Sequence, residues 1–357
     1  MTPASNSLTA PRDSQTLRLA DGRTLGFAEY GSPTGKPIFF FHGFPSSRLE
    51  AGGILKLANR EDIRIIAPDR PGFGLSTFNP VHRITDWPDD VRALAAHLGL
   101  NRFAILGGSG GGPYALACAR ALPAEMLSAV GLLAPAGPWK EAGIAGVPRS
   151  SRIVALMAYY WPASLRAVSA AVIGLCHLLL RTIRWSETMM AGENHPPASR
   201  SASSSTSASI SSQSPTSSSP TTKPAHKNPI PGALLRLFFE SFRQGTAPMV
   251  REAQLLTWEG WGFPLHEVRY DKVVIWHGVE DAQSPIRMVR YLARQLPHCE
   301  LREFEGETHF TLAAKQLGPV LEELVPMDRD PDRSMEREGA EGGEGMRRWM
   351  RERYRNT

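Results

Sequence analysis

The sequence predicts an α/β protein with a mostly parallel sheet, broken once by a long helical segment. Three observations lead there. Short β-type runs alternate with helical patterns over residues 16–138 and again over 263–325, as when crossover helices join parallel strands. Several runs are apolar without a break, "KPIFFFHG" and "DIRIIAPD" among them, as expected of strands covered on both faces. Between the two stretches, residues 139–262 are helical, aromatic and basic, with no clear strand.

The elements follow in order. Residues 1–15, "MTPASNSLTAPRDSQ", read as a disordered leader, without the apolar core of a signal peptide. "LRLADGRTLGFAEYG" reads as a hairpin turning at Asp21-Gly22. "KPIFFFHG" is a strand, helical character returns from Ser47 to Asn59, and "DIRIIAPD" is the next strand. "TDWPDDVRALAAHLGL" opens on a capping residue, Thr85 or Asp86, and continues as an amphipathic helix. "RFAILGG" is a strand, a helix runs from about Gly111 to Leu122, and "LSAVGLLAPA" closes the first series. In the second series, "DKVVIWHG" and "CELREFEG" are strands, while "SPIRMVRYLARQLP" and "FTLAAKQLGPVLEEL" are helices.

Two stretches offer too little apolar surface to offset the entropy of ordering them. Ser199 to Pro224, almost all Ser, Thr, Ala and Pro, predicts a disordered spacer inside the helical segment. From Pro326 to Thr357 the chain is charge-dense and Gly-rich, and predicts a disordered or loosely helical tail. The longest greasy run, Ala167 to Leu180, lies between Arg166 and Arg181. At about 14 residues it is too short to span a bilayer and predicts a buried helix, with a membrane-docking interfacial helix as the competing reading.

A chain of 357 residues, 42% hydrophobic, holds two domains or one large domain with an insertion. Cys118, Cys176 and Cys299 are far apart and odd in number. They form neither a disulfide framework nor a zinc pair, so a reducing, cytoplasmic compartment is expected. The net charge is +5. Residues 139–262 hold 12 Lys/Arg against 6 Asp/Glu, and so carry the whole excess. These cations are spread out, without the aromatic interleaving of a nucleic-acid face. They read as a solvated surface, with a weak peripheral contact to acidic membranes as the alternative.

The stretch "FAILGGSGGGPYALA", Phe103 to Ala117, raises the question of function. A strand that turns at once into a helix forces its corner residue into a left-handed conformation. The residues two before and two after then approach closely. Gly107 and Gly111 hold those places around Ser109, giving G-x-S-x-G, the nucleophile elbow. Alone the pattern is weak in a chain rich in Gly and Ser. Its place between a predicted strand and a predicted helix strengthens it. A phosphate-binding turn competes, but G-x-G-x-x-G cannot be placed properly here and no Walker lysine follows.

A serine nucleophile needs a base, and the base an orienting acid. His309, in "GETHF", stands between a strand and a helix. His42 and His277 directly follow apolar runs and read as structural. Asp281, in "WHGVEDAQSP", follows a buried strand. Its plain alternative is a helix N-cap, and Glu280 is its obvious substitute. The order Ser109, Asp281, His309 is that of α/β-hydrolases. The oxyanion donors are the N–H groups of Gly110 and, from the loop "HGFPSS", of Phe44.

Together, "HGFP" at His42–Pro45, "PDRPGFGLS" at Pro68–Ser76 and "GGSGGGPYALACA" at Gly107–Ala119 resemble the large serine-nucleophile group of the α/β-hydrolase superfamily. The acid and histidine loops match as well, and the resemblance covers about 16–138 and 263–325. It implies an eight-stranded sheet with a helical cap, here 139–262, inserted after the sixth strand. The motifs are poor guides to substrate. The triad itself is read as transferring an acyl group to water through an acyl-enzyme, from a small-molecule ester of an apolar acid, with neither metal nor cofactor required. Serine in place of aspartate argues against the dehalogenase and epoxide-hydrolase branches. Trp258, Trp261 and Phe263 are candidates for lining an apolar acyl pocket in the cap. The competing readings are a non-catalytic binding or scaffold protein on this fold, and acyl transfer or C–C bond hydrolysis with the same triad.

Overall fold

The computed structural model describes residues 12–58, 62–192 and 230–325. Eight strands form its sheet: β1 Arg12–Arg18, β2 Thr24–Gly31, β3 Lys36–Phe41, β4 Ile63–Pro68, β5 Phe103–Gly108, β6 Leu127–Leu133, β7 Val273–Gly278 and β8 Cys299–Phe304. Their spatial order is β1-β2-β4-β3-β5-β6-β7-β8. β1, β2 and β4 pair antiparallel, and every pair from β4 to β8 is parallel. The mostly parallel eight-stranded sheet therefore stands as expected.

The unbroken apolar runs have a direct cause. Phe39 and Phe41 of β3 and Phe103 and Ile105 of β5 point into one core layer. Ile38, Phe40, Ala104 and Leu106 point into the other. Both faces are covered, so the period-2 pattern has no polar half. Helices α2 (Trp87–His97), α3 (Gly112–Ala121) and α9 (Ile286–Gln295) cover the first layer, while α1 (Ala51–Ala58) and α10 (His309–Leu324) cover the second. Helix α9 buries Met288, Val289 and Leu292 and turns Arg287, Arg290 and Arg294 away from the core, the amphipathic spacing its sequence carries.

Among the described residues, five α-helices lie between β6 and β7: α4 (Trp139–Ala142), α5 (Arg149–Tyr160), α6 (Pro162–Gly192), α7 (Ile230–Ser241) and α8 (Ala247–Leu256). This is the helical insertion after the sixth strand. The serine-rich segment 199–224 and the tail 326–357 lie outside the described residues.

Two expectations are corrected. The leader does not extend to residue 15, because β1 begins at Arg12 and pairs with β2. An edge strand with one face in water needs few apolar residues, so its polarity hid it. The greasy run within α6 is not buried. Nor is it too short to span a bilayer: its helix continues past both flanking arginines, the stretch Pro162–Thr182 is long and apolar enough to cross a membrane, and only 6% of it is buried.

Two buried arginines fasten the helical insertion to the sheet. Arg48 Nη1 lies 2.9 Å from Asp69 and 2.7 Å from Glu240 of α7. Arg70 donates to Glu252 of α8, its Nε at 2.9 Å, and both side chains are fully buried. Removing one member of such a pair strands the other charge in a poor solvent.

Two outcomes follow. In a double-mutant cycle, Arg70→Met and Glu252→Gln should be non-additive by about 1–3 kcal/mol in denaturant unfolding; additive losses would refute the clasp. Gly111→Ala drives a methyl into the Phe41 carbonyl and should lower stability by more than about 2 kcal/mol. Gly53→Ala, with open space around it in α1, should raise stability by about 0.5–1 kcal/mol.

Candidate active site

The carboxyl ends of parallel strands β3, β5, β7 and β8 meet at one edge of the sheet, where such folds place their sites. Strand β5 ends at Gly108. Ser109 follows with φ 49°, in the left-handed region, and a helical turn leads into α3. Such a conformation costs a non-glycine residue about 1–3 kcal/mol. The neighbours explain how it is tolerated. A Cβ on Gly107 would stand 2.7 Å from the Gly111 carbonyl oxygen, and a Cβ on Gly111 would strike the carbonyl of Phe41. The glycines thus admit the strand–helix corner, and also let it press against the end of β3.

His309 is the first residue of α10. Its backbone is held by a reciprocal cap, in which Thr308 Oγ1 accepts from Thr311 N–H and Thr311 Oγ1 accepts from Thr308 N–H. His309 Nε2 lies 3.0 Å from Ser109 Oγ, and Nδ1 lies 2.7 Å from Asp281 Oδ2. A carboxylate only accepts, so Nδ1 carries the hydrogen and Nε2 is free to accept from the serine. The other oxygen of Asp281 accepts from the backbone N–H groups of Gln283 and Ser284, at 2.8 and 2.9 Å. The acid and capping readings of Asp281 therefore hold together, one on each oxygen. Glu280, the substitute, is exposed to solvent.

His277 and His42 are structural, as expected. His277 Nε2 donates to the Ser284 carbonyl at 2.8 Å, tightening the Asp281 loop. Burial lowers its pKa. Burial, then the nearby Arg70 charge, hold His42 well below the usual histidine range. His42 Nδ1 donates to the Gly43 carbonyl at 2.9 Å, and Nε2 accepts from Arg70 N–H at 3.2 Å.

These contacts orient the loop after β3. The Gly43 carbonyl also accepts from Arg70 Nη2 at 2.9 Å. In a planar trans peptide the N–H points away from the C=O. Pinning the Gly43 carbonyl on Arg70 therefore turns the Phe44 N–H to the opposite side. There it faces the elbow, 3.3 Å from where a Cβ on Gly110 would stand. The Gly110 N–H belongs to the first turn of a helix, which has no intrahelical partner. The two N–H groups expected to act together are thus brought together. Arg70 was not singled out from the sequence, although it sits in the "PDRPGFGLS" segment.

Above Ser109 lies a cavity of about 300 Å³. Phe44, Gly110, His309 and Ser284 form its base. Ala136, Gly137 and Trp139 follow from the chain leaving β6, with Val154 and Ala155 from α5 and Ala253, Leu256 and Thr257 from α8 or its end. Trp258, Trp261 and Phe263 do not line it, which corrects the expected substrate contacts. Trp261 is buried in the main core layer, with Phe263 packed against it. Trp258 stands edge-on to Trp139, ring centres 6.2 Å apart, and backs the wall without reaching it. Besides Phe44 at its base, the cavity is lined by the aromatic ring of Trp139. Its signal was its position, just past a strand end at the carboxyl edge. Among the described residues no cluster of three His, Cys, Asp or Glu side chains is placed to hold a metal ion.

The alpha/beta hydrolase fold model matches residues 36–315. A putative proline iminopeptidase of Mycoplasma pneumoniae is 37% identical over 111 residues, 30% of this chain and 36% of that protein. A non-heme haloperoxidase of Rhodococcus erythropolis is 33% identical over 133 residues, 36% of this chain and 48% of that protein. The matches thus span about a third to a half of the length of these relatives. Among solved structures, an esterase of Exiguobacterium antarcticum aligns with TM-score 0.56 and 16% identity, over 87% of this chain and 99% of that one. A likeness this distant speaks for the fold alone. The family match extends from the third strand into the last helix, and so takes in the whole parallel sheet and every loop that meets at the cavity: the chain belongs to the alpha/beta hydrolase fold family.

Proposed function

We propose that the protein is a serine hydrolase that cleaves esters of apolar carboxylic acids. The observation that carries this reading is the continuous relay Ser109–His309–Asp281 at the floor of an uncharged cavity. As Ser109 Oγ attacks the ester carbonyl, its proton passes to His309 Nε2. The oxyanion is held by the N–H groups of Phe44 and Gly110, already aimed and so requiring no reorganisation. His309 gives its proton to the departing alcohol, leaving an acyl-Ser109. It then takes a proton from water, whose oxygen attacks the acyl carbon. The acid leaves, and Ser109 recovers its proton. Asp281 holds the Nδ1–H tautomer and stabilises the imidazolium.

The cavity lining favours an ester over an N-terminal proline peptide. A terminal proline nitrogen is a cation at neutral pH, and a buried cation needs a counter-charge. Among the described residues lining the cavity none carries a carboxylate. Val154, Ala155, Ala253, Leu256 and Trp139 suit an apolar acyl chain, while Ser150, Ser151, Thr257 and Gln283 leave part of the wall polar but uncharged. The volume lies at the low end of the range for small-molecule sites, about 300–1,000 Å³.

Wild type should be labelled by a fluorophosphonate probe and should hydrolyse short p-nitrophenyl esters faster than proline p-nitroanilide. Ser109→Ala should lose labelling, and Ser109→Ala and His309→Ala should each lower kcat by about 10⁴–10⁶. Asp281→Asn should cost about 10⁴. A folded wild type that resists labelling, or prefers the anilide, overturns the proposal. Trp139→Ala should raise KM with a dependence on acyl length. Trp261→Ala should instead lower stability by about 3–5 kcal/mol; the reverse pattern would return Trp261 to the substrate wall.

A further inference from the structure

Helix α6 is far more apolar on its surface than a water-facing helix should be. Its window Pro162–Thr182 has mean hydropathy 1.8, yet 6% of it is buried. The apolar residues are ordered. Val168, Val172, Leu175 and Leu179 recur at spacings that fall on one side of a helix, and each is more than half exposed. The contacts come from the adjoining strip of the helix, where Ile173, Cys176 and Leu180 are partly covered. Leu165 is buried, and the His177 ring stacks on Phe239 of α7, ring centres 3.8 Å apart. Where α5 meets α6, Tyr159, Tyr160 and Trp161 form an exposed chain of ring contacts. Aromatic rings with a polar tip suit the headgroup layer of a membrane.

Charge identifies the occupant. No acidic residue lies between Glu141 and Glu187, a stretch that holds Arg149, Arg152, Arg166 and Arg181. Arg149, Arg166 and Arg181 are exposed. A second copy of this chain would bring arginines against arginines, whereas an anionic lipid surface complements them. Helix α6 is also tied sideways to the body. Besides the His177–Phe239 stack, Thr246 Oγ1 donates to the Arg166 carbonyl at 3.0 Å. A helix held this way, with its apolar stripe facing outward, lies in an interface instead of crossing it.

We infer that the exposed apolar face of α5 and α6 docks the protein on a bilayer containing acidic phospholipid. The cavity stands at the edge of this face. Val154 of α5 lines it, and its neighbours Ile153 and Leu156 are exposed apolar residues of the same helix. Docking therefore sets the mouth of the site against the lipid. The substrate is then an ester carried in the membrane, a step that rests on the hydrolase reading; the docking itself does not.

The test is flotation of the full chain with vesicles of phosphatidylcholine alone or with 30% phosphatidylserine (roughly the anionic content that gives a clear surface potential). Wild type and Ser109→Ala should float equally well with the anionic vesicles, and less at high salt. The triple variant Val168→Glu/Val172→Glu/Leu175→Glu should lose about tenfold or more in partitioning. Arg166→Ser/Arg181→Ser should lose binding to anionic vesicles selectively. Circular dichroism verifies the fold of every variant, and the two α6 variants should also match wild type in turnover of a soluble short ester. A long-chain ester carried in anionic vesicles should be turned over less by the triple variant and by Arg166→Ser/Arg181→Ser than by wild type. Wild type that does not float, or a folded triple variant that floats as well, overturns the docking. So does a wild-type dimer that the triple variant converts to monomer, since a second copy would then cover the face. Flotation without any ester turnover would sink the hydrolase reading and leave the docking standing.

Discussion

The left-handed turn at Ser109 is the constraint on which the site depends. An L-residue at positive φ is held there only when its surroundings leave no better arrangement. Here the surroundings are the ends of three strands. Gly111 presses on β3, Gly107 on the start of α3, and the Ser109 carbonyl accepts from Ala136 N–H at 2.9 Å, just past β6. Ala134, the other described non-glycine residue at positive φ, sits at that same strand end. Strain is thus confined to the carboxyl ends of two adjacent strands, where it lifts one hydroxyl clear of the sheet.

A raised hydroxyl is useful only if the rest of the edge is aimed at it, and Arg70 does much of that aiming. One guanidinium donates to the His42 and Gly43 carbonyls and to Glu252 of α8. The same side chain therefore turns the Phe44 N–H toward the elbow and fastens the helix that roofs the cavity. Asp69, next to it in the chain, holds Arg48, which reaches Glu240 of α7. The turn after β4 so couples the loop after β3 to the insertion. The shape of the cavity and the direction of its hydrogen-bond donors are set by one buried network, whose members lose their partners' compensation together.

Much of this was legible from residue order. The parallel strands were visible because burial on both faces leaves unbroken apolar runs. The relay was visible because three loops at one sheet edge carried Ser109, Asp281 and His309 in a recognisable order. Other features were not legible, for physical reasons. The first half of strand β1, Arg12 to Gln15, reads as leader because an edge strand needs little hydrophobicity. Arg70 looks like any loop arginine until the fold brings His42, Gly43 and Glu252 around it. Trp258, Trp261 and Phe263 were grouped by composition, yet a tryptophan fills a core and a pocket wall equally well. Only the path of the chain decides which, and it puts Trp139 on the wall, Trp258 behind it and Trp261 in the core.

Helix α6 exposes a deeper limit of the same kind. Hydrophobic periodicity reports that one side of a helix avoids water, without saying what it meets instead. A core and a bilayer impose the same pattern on the apolar side. They differ in what they require around it. A buried helix needs neighbours on that side, and the residues flanking it are free to carry either charge. A helix resting on an anionic membrane needs none there, but it tolerates no carboxylate close by, since each would be repelled as well as desolvated. The missing neighbours, among the described residues, are a property of the fold. The missing carboxylates, from Glu141 to Glu187, are written in the sequence. Charge beside the apolar run, more than its length, separates the two solvents.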